Sequence, residues 1–182
     1  MTAVMISIRP EWCKKIFNGE KTLELRKSKP KLNVPFKCYV YCTKPNTTDP
    51  HQFLSVRSGN GKTENCNGKI IGEFTCDYVQ GTVDPAGGLV DVIDEKCSCL
   101  SAKQIIEYAA GDIVYFWHIS NPKLYDEPKR IADFKRGDAC PYLTKEGCSY
   151  KFHCFRAGQL KRCGDYLDKP PQSWCYVDEV ET

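Results

Sequence analysis

The chain has 182 residues, of which 41% are apolar and 12% aromatic. That suffices for one well-buried core and leaves little room for a second full domain, and the composition suits a globular domain rather than a disordered one. No apolar run approaches the roughly 18 residues of a membrane span. The opening MTAVMISIRPEW has neither the apolar stretch nor the cleavage site of a secretory signal. The protein is therefore expected to be cytoplasmic, with no membrane partner, and its twelve cysteines are expected to be reduced.

In chain order, VMISI (4–8) reads as an apolar, β-branched strand. Pro10 suits the first turn of a helix, and EWCKKIFNG (11–19) places Trp12, Ile16 and Phe17 at helical spacing before the cap residue Gly19. KTLELRK (21–27) alternates as a half-buried strand, with Leu23 and Leu25 on the core face. Glu24 and Arg26 then share the opposite face, pointing outward or into a cleft. FKCYVYCT (36–43) is another strand, with Cys38 and Cys42 on one face as packing. Residues 44–67, rich in Asn, Gly, Thr and Lys, read as a long exposed loop.

KIIGEFTCDYVQ (69–80) returns to a strand whose glycine marks a bulge, and 83–93 is turn-rich. LSAKQIIEYAAG (100–111) reads as a helix with Ser101 as N-cap. Residues 112–128 begin as a strand and meet a turn at Asn121-Pro122. SWCYVDEV (173–180) closes the chain as a strand. Strands dominate without a βαβ alternation, which excludes a Rossmann-type sheet.

Charge is unevenly placed. Residues 1–40 and 128–163 each carry net +6, while 41–127 and 164–182 are acidic. Two basic segments that meet in the fold would make a stripe attractive to polyanions. A solvated, mixed-charge surface is the plain alternative.

The run Gly19-Glu20-Lys21-Thr22-Leu23-Glu24-Leu25-Arg26 fits the pattern G-x-K-x-x-E-x-R, and by it the chain resembles the ASCH domains of the PUA-like superfamily. The preceding Arg-Pro-Glu-Trp, the strand Tyr115–Ser120 and the ending Pro170–Val177 extend the likeness, in particular to members found in phages and prophages of Firmicutes. The resemblance implies an α+β fold: a PUA-like mixed β-barrel with a few short helices, forming one domain over 1–182. Two insertions would interrupt it, the 44–67 loop and a Cys-rich basic module at 138–163. It also implies a ligand groove at the motif, so the favoured function is binding RNA or a small nucleotide there. Lys21 and Arg26 would hold phosphate, and Glu24 would accept from a base or ribose hydroxyl. Lys27, Tyr41, His118 and Ser173 complete the candidate set, with Trp117 or Trp174 as a stacking platform. A salt bridge fixing a strand edge is the structural alternative for the charged trio, and core packing that for the tryptophans.

Some relatives are hydrolases. In those removing acetyl from N4-acetylcytidine, the lysine corresponds to Lys21, but the nucleophilic threonine falls at Glu24, which removes the nucleophile. For RNA cleavage the candidate catalytic residues are Lys21, Glu24 and His118, with Arg26 stabilising charge. A third possibility is a phage protein that sequesters a nucleotide immune signal.

Cys140-x7-Cys148-x5-Cys154-x8-Cys163 resembles a CCCH zinc finger that lacks its histidine, expected after three residues beyond the third cysteine, where Gly158 stands. Cys163, or alternatively His153, would complete a tetrahedral structural Zn²⁺ site. The other reading is a loop of scattered thiols.

Overall fold

The computed structural model describes residues 1–45, 53–57, 61–81, 92–136, 143–144, 147–148 and 166–180, with only the backbone at 92–94, 143–144 and 147–148. The strand β1 (Thr2–Ile8) is buried on both faces, so its apolar run does not alternate. Val4, Ile6 and Ile8 enter the main core cluster, and Ala3 and Met5 enter a second one beneath the sheet. The helix α1 (Pro10–Phe17) starts on Pro10 and buries Cys13 and Ile16.

The short strand β2 (Leu23–Arg26) follows, then β3 (Phe36–Cys42). β1 and β3 pair in parallel, and α1 with β2 supplies the crossover that a parallel pair requires. Phe36, Cys38, Val40 and Cys42 all enter the main core, as expected of Cys38 and Cys42.

The segment read as an exposed loop contains a hairpin, β4 (Ser55–Arg57) against β5 (Thr63–Asn65). Its base is tied down by Asn67, whose amide accepts from Leu54 N at 2.9 Å and donates to Thr43 O at 3.0 Å. Cys66 beside it is fully buried.

β6 (Ile70–Cys76) carries the expected glycine irregularity: its register against the following edge strand shifts between Ile70 and Gly72. A Cβ on Gly72 would lie 2.4 Å from Lys123 O and 2.6 Å from the Phe17 ring, so only glycine fits. β7 (Val79–Gly81) is short. Next come α2 (Val92–Ser98), a helix in a stretch whose start read as turns, and α3 (Ala102–Ala109), opened by a capping box on Ser101.

β8 (Tyr115–His118) runs through Ile119 into β9 (Ser120–Lys129). The chain does not turn back at Asn121-Pro122. Asn121 adopts a φ of 50° and the strand continues along β6. The small strands β10 (Leu143–Thr144) and β11 (Gly147–Cys148) pair with each other, and β12 (Trp174–Asp178) ends the fold.

Two main sheets result, with orders β12-β1-β3-β6-β9 and β2-β8-β7, beside the two-stranded pairs β4-β5 and β10-β11. The continuous β8–β9 segment serves both. The fold is the expected α+β arrangement, but the barrel is open: no ladder closes a ring among the described residues. One face of the small sheet, with Leu23, Leu25 and Phe116, packs on Ile105 and Ala109 of α3. Its other face turns Trp117 into the main core. Among the described residues no helix is long and apolar enough to cross a membrane.

Candidate functional site

The motif begins where α1 ends. Gly19 takes a φ of 76°, a left-handed conformation open to glycine, and the amides of Glu20 and Lys21 both return to Lys15 O, at 2.9 and 3.1 Å. This reversal drives the Lys21 side chain inward, leaving it 2% exposed. Its Nζ donates to Leu23 O at 2.7 Å and to Ser98 O at 2.6 Å, and lies 3.6 Å from Glu24 Oε2. The Trp12 ring stands 5.4 Å away. Burial pushes the Lys21 ammonium below its ordinary value, against the opposing pull of Glu24.

Three consecutive residues thus fasten three others. Thr22 N donates to Cys97 O at 2.8 Å, Lys21 Nζ to Ser98 O, and Cys99 Sγ to Glu20 O at 3.4 Å. The ammonium meets the last carbonyl of α2, that of Ser98, where the helix dipole favours a cation. Lys21 is spent on holding α2 to the motif turn, so it is poorly placed to grip a phosphate as well.

Glu24 is 5% exposed, because this face of β2 is as buried as the leucine face. Its Oε1 is 2.9 Å from Arg26 Nη1. Arg26 Nη2 donates to Ser7 O at 2.6 Å, tying β2 to β1. In the β2–β8 ladder Glu24 stands opposite Trp117. Trp117 is fully buried, edge-on to Phe36 at 5.8 Å and 5.8 Å from the Trp174 ring. Three buried polar atoms in this group have no hydrogen-bond partner among the described residues: Glu24 Oε2, Arg26 Nε and Trp117 Nε1.

Trp174 is half-buried and donates from Nε1 to Ser28 Oγ at 3.0 Å. Ser173 lies beside it, with its carbonyl accepting from Ser7 N at 2.9 Å. The structure therefore brings Lys21, Glu24, Arg26, Trp117, Ser173 and Trp174 to one region. Three further candidates lie elsewhere. Lys27 is exposed and pairs with Asp112 at 3.3 Å. Tyr41 points to the opposite face of β3, into the second cluster with Met5 and Phe134. His118 follows Trp117 and so takes the other face of β8, where Asp77 holds its Nδ1 at 2.5 Å and Tyr78 stacks on it at 4.7 Å. Lys21, Glu24 and His118 are thus not gathered into one catalytic cluster. Sequence reasoning missed Ser7, Trp12 and the carbonyl of Ser98, whose roles depend on long-range contacts.

The second basic segment starts close to the first. Arg136 bridges to Val177 of β12, which pairs with β1. Cys140, Cys154, Cys163 and His153 lie outside the described residues, as does the Cys148 side chain. Among the described residues no group of three or more His, Cys, Asp or Glu is placed to hold a metal. A groove of about 550 Å³ opens between Pro10, Cys13 and Phe17 of α1, Leu54 and Val56 by β4, and Leu124 of β9. No motif residue lines it.

Solved structures decide the fold class. An ASCH protein from Zymomonas mobilis superposes with a TM-score of 0.56 at 16% identity, over 97% of this chain and 88% of that one. A tyrosine-to-phenylalanine variant of it matches with a TM-score of 0.56 at 15% identity, over 97% and 91%. A serine-to-alanine variant gives 0.56 at 16%, over 97% and 89%. The fold is that of the ASCH structures. No family model matches the chain, and no curated protein does. Within the ASCH-like fold, the G-x-K-x-x-E-x-R run sits at the junction of the two sheets.

Proposed function

We propose that this chain binds RNA or a small nucleotide at the junction of its two sheets, with Glu24, Arg26 and Trp117 as the recognising groups and Trp174 as the stacking ring. The supporting observation is that Arg26 Nε and Trp117 Nε1 are buried without hydrogen-bond partners among the described residues, as is Glu24 Oε2, which has only the Lys21 ammonium at 3.6 Å. A buried polar group left unpaired costs about 1–3 kcal/mol. A ligand that satisfies all three atoms recovers that cost on binding, and nucleobases offer matching donors and acceptors beside a face that stacks. The exposed lysines 27 and 29, close to the motif in sequence, supply charge for a phosphate backbone.

A hydrolase acting on RNA or modified nucleosides is the second reading. The Asp77–His118 pair favours it, since a carboxylate on Nδ1 fixes the tautomer that leaves Nε2 basic. That pair lies on the face away from Glu24, so hydrolysis would need a substrate reaching around the end of β8. A phage protein sequestering a nucleotide signal would use the same binding groups and release its ligand intact. The structural zinc in 138–163 and the cytoplasmic location belong to this proposal as well.

Binding of short labelled RNAs and free nucleotides, followed by tryptophan fluorescence, tests the reading. Trp174→Ala and Arg26→Ala are each expected to weaken affinity about tenfold or more, as loss of a stacked base predicts. Unchanged affinity in both variants would remove the site from the sheet junction.

A further inference from the structure

Resting on the site proposed above, we infer that its ligand is a single strand of several nucleotides, not a free nucleotide, with its phosphates on the lysines of residues 27–31. The loop that leaves β2 reads Lys27-Ser28-Lys29-Pro30-Lys31. Arg26 before it is turned inward, tied to Glu24 at 2.9 Å and to Ser7 O at 2.6 Å. From Lys27 onward the cations face outward. Lys27, Ser28, Lys29 and Lys31 are exposed, while Pro30 is buried and Leu32 packs on the main core. The two apolar residues pin the loop, so its lysines project from a fixed base.

Each exposed residue of the loop meets a different aromatic side chain. Lys27 Nζ lies 5.9 Å from the Tyr108 ring of α3, and Lys29 Nζ lies 5.5 Å from the Tyr115 ring of β8. Ser28 Oγ accepts from Trp174 Nε1 at 3.0 Å, and Lys31 N donates to the Tyr176 hydroxyl at 2.7 Å. The Trp174 and Tyr176 rings stand edge-on at 5.3 Å. Tyr108 is the most open of the four at 38% exposed, and the others are half-buried. Residues from α3, β8 and β12 are thus gathered under one run of lysines.

The charges are available to a ligand. Lys27 pairs with Asp112 at 3.3 Å, but both side chains are well exposed, and such a pair yields to a phosphate at little cost. Lys29 and Lys31 carry no ion pair among the described residues. A free nucleotide concentrates its charge at one end and would occupy one of these lysines. Lysines on alternate residues, interleaved with rings from three elements, match a chain that repeats phosphate and base. A duplex keeps its bases stacked on each other, so the rings select the single strand.

Anisotropy titration of the full chain with labelled mono-, di-, tetra- and octauridylate, at several salt concentrations, tests the inference. Affinity is expected to rise from the mononucleotide to the tetramer. Replacing the three lysines together (Lys27→Ala, Lys29→Ala and Lys31→Ala) is expected to flatten the slope of log affinity against log salt by about two, as three single-strand phosphate contacts require. Tyr108→Ala is expected to weaken octamer binding about fivefold or more and leave the salt slope unchanged, since a ring stacks and does not displace counterions. A mononucleotide as tight as the octamer, a duplex as tight as the single strand, or an unchanged slope in the lysine variant overturns the strand assignment. An equal loss of slope when Lys62, Lys103 and Lys123 are replaced instead makes the effect one of net charge and overturns it too. In each of these cases binding at the sheet junction still stands. No binding by any of the oligomers or the mononucleotide overturns both.

Discussion

Glu24 of β2 and Trp117 of β8 face each other across an antiparallel ladder, and each buries a polar atom without a hydrogen bond among the described residues, Glu24 Oε2 having the Lys21 ammonium at 3.6 Å. Two such atoms side by side in a core weigh against the stability of the free protein. The strands nonetheless place them there with good packing around the indole, between Phe36 and Trp174.

That arrangement predicts the stability of Trp117→Phe. The substitution removes an unpaired N–H and loses part of a ring in a tightly packed cluster. The first effect stabilises by about 1–3 kcal/mol and the second costs about the same. Urea denaturation of the ligand-free variant is expected to give a free energy within about 1 kcal/mol of the parent. A loss above about 3 kcal/mol would mean that Nε1 has a partner in solution, and the argument for a ligand there would fail.

Lys21 predicts the opposite balance. Its ammonium satisfies Leu23 O and Ser98 O and neutralises part of Glu24. Lys21→Met keeps the stem and strands both carbonyls, so the expected loss is about 2–5 kcal/mol. The same variant should bind ligand nearly as well wherever it remains folded, because two of the three Lys21 donors are held by carbonyls and the ammonium otherwise faces Glu24. A stable Lys21→Met protein that has lost binding would return Lys21 to the ligand set.

The parts of this fold that were legible in the sequence are those where a local rule has one answer. Pro10 and Gly19 bracket α1, Ser101 opens α3, and Gly72 marks a point where no Cβ fits. The hairpin at 55–65 was hidden because its strands are three residues long and sit among Asn, Gly and Lys. Its order comes from Asn67 bridging to Leu54 and Thr43. At the site, alternation along β2 separated Leu23 and Leu25 from Glu24 and Arg26 correctly. It could not show that both faces are buried, since that depends on β1 and β8 closing over the charged side. Tyr41 and Val40 are equally apolar neighbours on β3, and only the sheet order decides which one faces the main core.

The buried thiols set the alkaline limit of stability. Burial pushes Cys66 up to about 11, Cys76 up to about 12 and Cys175 up to about 11, from an ordinary value of 9.0. In that window the unfolded chain has released protons that the folded chain keeps. The stabilisation is therefore complete below pH 9 and lost as pH rises through 11 to 12, by about 1.4 kcal/mol per pH unit for each thiol. Lys21 works the other way, since its lowered value favours the folded chain as pH rises toward 10.5, but one lysine cannot offset three thiols. Unfolding free energies measured from pH 8 to 11 should fall, and Cys76→Ala should flatten the slope by about one proton. An unchanged slope would show that Cys76 ionises as freely in the folded chain as in the unfolded one.

Cysteine accounting also carries the zinc prediction. Cys13, Cys38, Cys42, Cys66 and Cys76 are buried in the main core and belong to no metal-holding group among the described residues. Cys97, Cys99 and Cys175 are partly buried and belong to no metal-holding group among the described residues. The remaining four, Cys140, Cys148, Cys154 and Cys163, lie in a segment of low apolar content, where a metal would supply order that packing cannot. Protein purified without chelator is expected to hold about one zinc per chain by elemental analysis. Iodoacetamide should then modify Cys97 and Cys99 first, and the four cysteines of 138–163 only after a strong chelator has removed the metal. The five core thiols should stay protected until urea is added. Less than about 0.2 zinc per chain, with all four labelled before chelation, would make 138–163 a loop of ordinary thiols.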